Sequence, residues 1–159
     1  MNGSIVVMQH PVTTEFGSVS GQFEETSAAV AAMKMPSMWF GPNRDAGHST
    51  VLENNEYREY LPPEEFLSLL ASSRVLVGNS SVGIRECSYL GVPVVNIGSR
   101  QKNRERAKNV LDVGYDRAEI QEAIEAQMEH GRYPSSNLYG DGKAGERIAG
   151  ALDRILNTV

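Results

Sequence analysis

The chain has 159 residues, 40% of them hydrophobic and 22% charged, with a net charge of -5 at pH 7. That length fits one domain of roughly 100–200 residues, and the apolar content excludes a chain too polar to bury a core. One cysteine excludes an internal disulfide and an all-cysteine metal site, and the acidic balance argues against a general nucleic-acid binder. No apolar run approaches the ~18 residues of a membrane span, and no basic-then-apolar leader opens the chain. A cytoplasmic α/β domain away from membranes is the expectation.

Strand-like and helix-like segments alternate, as in a parallel sheet flanked by helices. Ser4–Met8 (SIVVM) reads as a buried strand that ends at Gln9, His10 and Pro11. Glu24–Met33 is alanine-rich and favours a helix that Pro36 ends. Ser37–Phe40 is a second strand, followed by the loop GPNRDAGHS. Arg58–Leu61 reads as a short strand before Pro62 and Pro63. Glu64–Ser72 then places Phe66, Leu67, Leu69 and Leu70 on one helical face. Arg74–Val77 is a strand whose turn, GNSSVG, leads into a helix over Ile84–Leu90, which Gly91 ends. Val92–Ile97 and Val110–Val113 read as further strands. Asp116 and Glu119 have capping-box spacing ahead of a helix through about His130. After the turn-rich YPSSNLYGDG, a last helix spans Ala144–Leu156.

The strongest chemical signal runs from Val75 to Glu86 (VLVGNSSVGIRE). A buried strand enters a turn holding Gly78, Asn79, Ser80, Ser81 and Gly83, and a helix starts at once. Free N–H groups at a helix start favour an anion, the serines add donors, and glycines admit a ligand close to the backbone. The pattern is neither a Walker loop nor GxGxxG. Ordinary capping by Ser80 or Ser81 is the competing reading. Glu86 is either a favourable acid in a first turn or an acceptor for ribose hydroxyls. His10 stands where a strand ends, the edge at which parallel sheets gather ligands. There it either serves a substrate oxygen or is a polar residue with one satisfied hydrogen bond. Arg100 follows Val92–Ile97 through a two-residue turn and suits a diphosphate, whereas Lys102, Arg104 and Lys108 read as a solvated basic loop. The three histidines have no metal-ligand spacing.

Taken together, QHPVTTE at 9–15, GPNRDAG at 41–47, LVGNSSVGIREC at 76–87, LGVPVVNIGSRQKNRE at 90–105 and YPSSNLYGDGKAGERI at 133–148 resemble the C-terminal half of the UDP-N-acetylglucosamine 2-epimerases. The HPVTTE form points to the hydrolysing branch. The resemblance implies residues 1–159 form a single Rossmann-like nucleotide-sugar-binding domain, one half of a glycosyltransferase-B-type fold, with UDP or a UDP-sugar as ligand. By motif matching, Ser80 and Ser81 correspond to diphosphate-binding serines, Glu86 to the ribose-binding acid, and Arg100 and Asn43 to further UDP contacts. Gly83 belongs to the same UDP-binding turn, Leu61 to a main-chain uracil site, and His10 to a histidine important for turnover.

The resemblance implies elimination of UDP, then hydration to free N-acetylmannosamine, as in sialic-acid biosynthesis, with no metal or redox cofactor. It leaves the family's N-terminal half, with the acids that move the sugar proton, outside this sequence. The isolated chain is therefore expected to bind UDP without turnover. Exposed former interdomain surface makes a homo-oligomer a possible state. A UDP- or GDP-linked diacetamido-trideoxyhexose, and a non-catalytic nucleotide-sugar-binding module, stay open as alternatives. The stretch between Ser49 and Pro62 is shorter than the family's.

Overall fold

The computed structural model describes residues 3–42, 57–58 and 60–157. Among them, six strands form one sheet in the order β3-β2-β1-β4-β5-β6. These are β1 (Ile5–Met8), β2 (Ser37–Phe40), β3 (Tyr57–Arg58), β4 (Val75–Gly78), β5 (Val94–Ile97) and β6 (Val110–Val113). Every pairing is parallel, including Ile5 with Val75 and Met8 with Gly78 across the centre. The expected Rossmann-like α/β sheet is therefore observed.

Strand side chains alternate between two faces, so the unbroken apolar runs serve two cores. Ile5, Val7, Val75, Val77, Val95 and Ile97 face helices α1 (Val19–Ala32) and α5 (Arg117–His130), meeting Val30, Ile120 and Ile124. Val6, Leu76 and Val94 face the other way, toward Leu70 of α2 (Pro63–Ser72) and Cys87.

Three segments differ from the sequence expectation by three residues or more, and the strand expected over Val92–Ile97 starts at Val94. Helix α1 starts at Val19 rather than Glu24, after a 3₁₀ turn over Thr13–Ser18. Val19 and Phe23 lie one turn apart and are both buried, so packing on the sheet extends the helix past its alanine-rich part. The helix expected over Ile84–Leu90 begins at Ser81 and is divided into α3 (Ser81–Ile84) and α4 (Glu86–Leu90) at Arg85, where φ is -101° and ψ -77°. The strand expected over Arg58–Leu61 is observed at Tyr57–Arg58, and Leu61 lies after it, packed against the Val6–Leu76 core.

At α5, Asp116 accepts from the Glu119 N–H at 3.0 Å, as its spacing predicts. The Glu119 carboxylate turns outward instead and accepts from the Gly114 N–H at 3.0 Å. The last helix, α6 (Ala144–Leu156), buries none of its residues and leaves Ile148, Leu152, Ile155 and Leu156 exposed. Among the described residues no helix is long and apolar enough to cross a membrane, and no group of three or more His, Cys, Asp or Glu side chains is placed to hold a metal ion.

Candidate functional site

In a parallel sheet all strands end at the same edge, so the segments after β1, β4 and β5 meet there. Their meeting point is Asn79, which is buried and has four polar groups engaged. Its Oδ1 accepts from the His10 N–H at 2.7 Å, and its Nδ2 donates to the His10 carbonyl at 2.9 Å. Its own N–H donates to the Met8 carbonyl at 3.0 Å. Its carbonyl accepts from Gln101 Nε2 at 2.7 Å and from Arg100 Nη1 at 3.3 Å. A single side chain thus fixes the backbone of His10, and one carbonyl draws in the arginine of the β5 segment.

Ser80 follows with extended backbone and caps α3, its hydroxyl accepting from the Val82 N–H at 3.4 Å. The capping reading is therefore observed for Ser80, and the bond is long enough to be exchanged for a better partner. Ser81 is half-buried in the first helical position. Gly83 faces the sheet: a Cβ there would stand 2.9 Å from Val94 Cγ1, so its lack of a side chain seats α3 against β5.

Glu86 opens α4 on the far side of the Arg85 break. Its Oε2 is buried and has no hydrogen-bond partner among the described residues. The residue lines a cavity of about 420 Å³ together with Leu67, Arg85, Tyr89, Tyr139 and Asp141. An unpaired buried carboxylate oxygen carries a desolvation cost that nothing among the described residues offsets. Among the sequence-predicted residues, His10, Ser80 and Arg100 are thus joined through Asn79, and Ser81 continues the same turn. Glu86 lies beyond the helix break, Leu61 is half-buried against the core, and Asn43 falls outside the described residues.

Sequence reasoning missed three groups around this edge. Gln101, in the basic segment, is almost fully buried and tied to Asn79. Arg106 is held by the Gln101 carbonyl at 2.8 Å and by Asp112 at 2.6 Å, so that segment is anchored rather than merely solvated. Glu15 accepts from the Ser99 hydroxyl, from Gln22 Nε2 at 2.7 Å and from the Tyr115 hydroxyl at 3.0 Å. The Ser99 bond is the main cause holding the Glu15 carboxyl below its ordinary value, against the opposing effect of burial.

Burial, and then the bond to Glu15, push the Tyr115 phenol from an ordinary 10.0 up to about 12. Folding therefore favours the neutral phenol, a contribution intact below pH 10 and lost as pH rises toward 12. Denaturation midpoints measured across that alkaline range should fall more steeply for the wild type than for Tyr115→Phe, which cannot titrate. Parallel curves would remove this account of the phenol.

Residues 1–153 match the UDP-N-acetylglucosamine 2-epimerase family. The chain is similar to a UDP-N,N'-diacetylbacillosamine 2-epimerase (hydrolyzing) of Legionella pneumophila, at 36% identity over 94% of this chain and 42% of the relative. It is also similar to a UDP-N-acetylglucosamine 2-epimerase of Neisseria meningitidis serogroup B, at 30% identity over 86% of this chain and 38% of that protein. The chain therefore spans about two fifths of these curated relatives' lengths. In fold it is similar to S. aureus MnaA in a co-structure with UDP, with a TM-score of 0.69 at 18% identity, covering 99% of this chain and 46% of the other. On this match, which takes in every described strand, the chain belongs to the UDP-N-acetylglucosamine 2-epimerase family.

Proposed function

We propose that this chain is the nucleotide-holding domain of a hydrolysing UDP-N-acetylglucosamine 2-epimerase, with UDP lying along the edge formed by His10, Ser80, Ser81 and Arg100. The supporting observation is the Asn79 junction, which brings a strand-end imidazole-bearing residue, a serine-lined helix start and an arginine to one place. In the proposed reaction the proton on the carbon bearing the acetamido group is removed and UDP leaves, giving an unsaturated sugar. Water then adds, and N-acetylmannosamine is released. The remainder of the longer protein, which this chain does not span, supplies the groups that move the sugar proton.

This domain's task is the leaving group. Negative charge grows on the diphosphate as the sugar–oxygen bond breaks. On this reading the serine hydroxyls and the Arg100 guanidinium receive that charge, exchanging the bonds that Ser80 makes to Val82 and Arg100 makes to the Asn79 carbonyl for bonds to the diphosphate. His10 contacts the phosphate and sugar region, and Glu86 accepts from the ribose hydroxyls in the adjoining cavity. Gly83 lets α3 sit close to the sheet, so that this turn reaches the diphosphate; Asn43 and the Leu61 backbone complete the nucleotide contacts.

Calorimetric titration tests this reading. UDP should bind the wild type at millimolar concentration or below. Ser81→Ala and Glu86→Ala should each lose about 1.5–3 kcal/mol, the range for a hydrogen bond to a charged group. A wild type that ignores UDP, or two variants that bind as it does, would overturn the assignment. The Legionella relative favours a second reading of the sugar, a UDP-linked diacetamido-trideoxyhexose. Turnover of the two UDP-sugars by the full-length protein separates them, and UDP binding with neither turned over would leave a binding module.

A further inference from the structure

His10 and Arg100 reach the site edge on segments that belong to different strands, and Asn79 is not the sole tie between those segments. The segment after β1 continues into the Thr13–Ser18 turn, and the segment after β5 runs through Gly98–Ser99. Glu15, on the first, bonds the hydroxyl of Ser99 on the second and the hydroxyl of Tyr115, which follows β6. Gln22 of α1 donates to the same carboxylate at 2.7 Å, which fixes its direction from behind.

Gly98 completes the arrangement. Its φ is +71°, and a Cβ on it would stand 2.1 Å from the Tyr115 hydroxyl oxygen and 2.2 Å from the ring. The aromatic ring therefore lies directly over the turn, which is open only because residue 98 has no side chain. Three strand ends, β1, β5 and β6, are thus clasped at one carboxylate, which follows His10 in the chain and bonds the residue just before Arg100. The carboxylate also brings a negative charge to the turn that carries Arg100, so repulsion of an anionic ligand is the competing expectation for this residue.

We propose that Glu15 is a positioning residue: it clasps the His10-bearing segment to the Arg100-bearing turn and so sets the width of the ligand edge. The inference rests on the nucleotide reading above for the identity of the ligand, but the clasp itself is a property of the unliganded chain. Glutamine can keep all three bonds, with its carbonyl accepting from Tyr115 and Gln22 and its amide donating to Ser99. Alanine keeps none.

The test compares wild type, Glu15→Gln, Glu15→Ala and Ser99→Ala by amide hydrogen exchange without ligand and by UDP calorimetry. Glu15→Ala should speed exchange in both 9–18 and 98–101 by about tenfold or more and weaken UDP by a similar factor, with Glu15→Gln staying within about threefold of wild type. Ser99→Ala cuts the clasp from the other side and should raise exchange in the same two segments, which keeps the test usable if Glu15→Ala does not fold. Unchanged exchange at 98–101 would overturn the clasp. Tighter UDP binding in both Glu15 variants would overturn it too, since that is what charge repulsion without positioning predicts. A wild type that binds no UDP while the exchange pattern holds would remove the nucleotide reading and leave the clasp supported.

Discussion

Gly78→Ala should destabilise the fold by on the order of 3–5 kcal/mol, lowering the melting temperature by roughly 8–15 °C. The backbone at Gly78 has φ +133°, where side chains are rarely tolerated, and a Cβ would stand 2.3 Å from the Met8 carbonyl oxygen and 2.6 Å from its carbon. Both atoms belong to the neighbouring strand's backbone, which cannot swing aside as a flexible side chain can. Relief requires β4 to part from β1 at the register pair Met8–Gly78, and that displaces the Asn79 bonds to Met8 and His10. The control is Gly21→Ala in the first turns of α1, where nothing lies within 4 Å of the added Cβ. That variant should gain about 0.5–1 kcal/mol from helix propensity. Chemical denaturation of both proteins checks the pair, and a Gly78→Ala cost below about 1 kcal/mol would contradict the steric account.

The second large effect is expected at Asn79. Removing its amide in Asn79→Ala takes away the bonds to the N–H and the carbonyl of buried His10, at about 1–3 kcal/mol for each buried hydrogen bond lost. Asn79→Asp separates the two halves of the clamp. A carboxylate can still accept from the His10 N–H but meets the His10 carbonyl with like partial charge, unless it is protonated and donates. Folding then favours the protonated acid and raises its pKa. Relative to wild type, the Asp variant should recover stability as pH falls toward the unfolded value and be weakest at neutral pH. Denaturation midpoints at acidic and neutral pH measure this. An Asp variant whose deficit is the same at both would mean that the carbonyl half of the clamp contributes nothing.

These two positions also mark where sequence reading stops. The strands are legible because β-branched runs such as SIVVM and RVLV, bounded by polar turns, suit a buried strand and little else, and these two lie within a residue of their expected places. Helix α1 is clipped in the sequence because propensity sees alanines, whereas its first turn is held by Val19 and Phe23 packing against a sheet that only the fold supplies. His10, Ser80 and Arg100 stand out as candidates because each closely follows a strand, and strand ends collect at one edge. The structural roles of Asn79, Gln101 and Glu15 are not legible in this way. The partners that give them those roles lie 69, 22 and 84 residues away, and no local pattern encodes such pairs. Gly83 is noticeable for a local reason, ligand access, while its lack of a side chain answers to Val94 across the core.

The strand order has a consequence for how this edge comes into being. β1 pairs with β2 on one side and with β4, some 70 residues later, on the other. Closing so long a loop costs entropy that must be met before the central pairing is rewarded, whereas β4–β5 and β5–β6 join across short connections. The β1–β4 pairing thus divides the strand order into two three-stranded leaves, with α1 and α5 packed together across the division. His10 belongs to the first leaf, and Asn79, Ser80 and Arg100 belong to the second. The bonds between His10 and Asn79 form only once β1 has paired with β4, so parting of those two strands separates the two residues. On the proposed nucleotide reading, a ligand held from both sides acts as a suture across that line and stabilises the pairing by an amount that grows with the logarithm of its saturation.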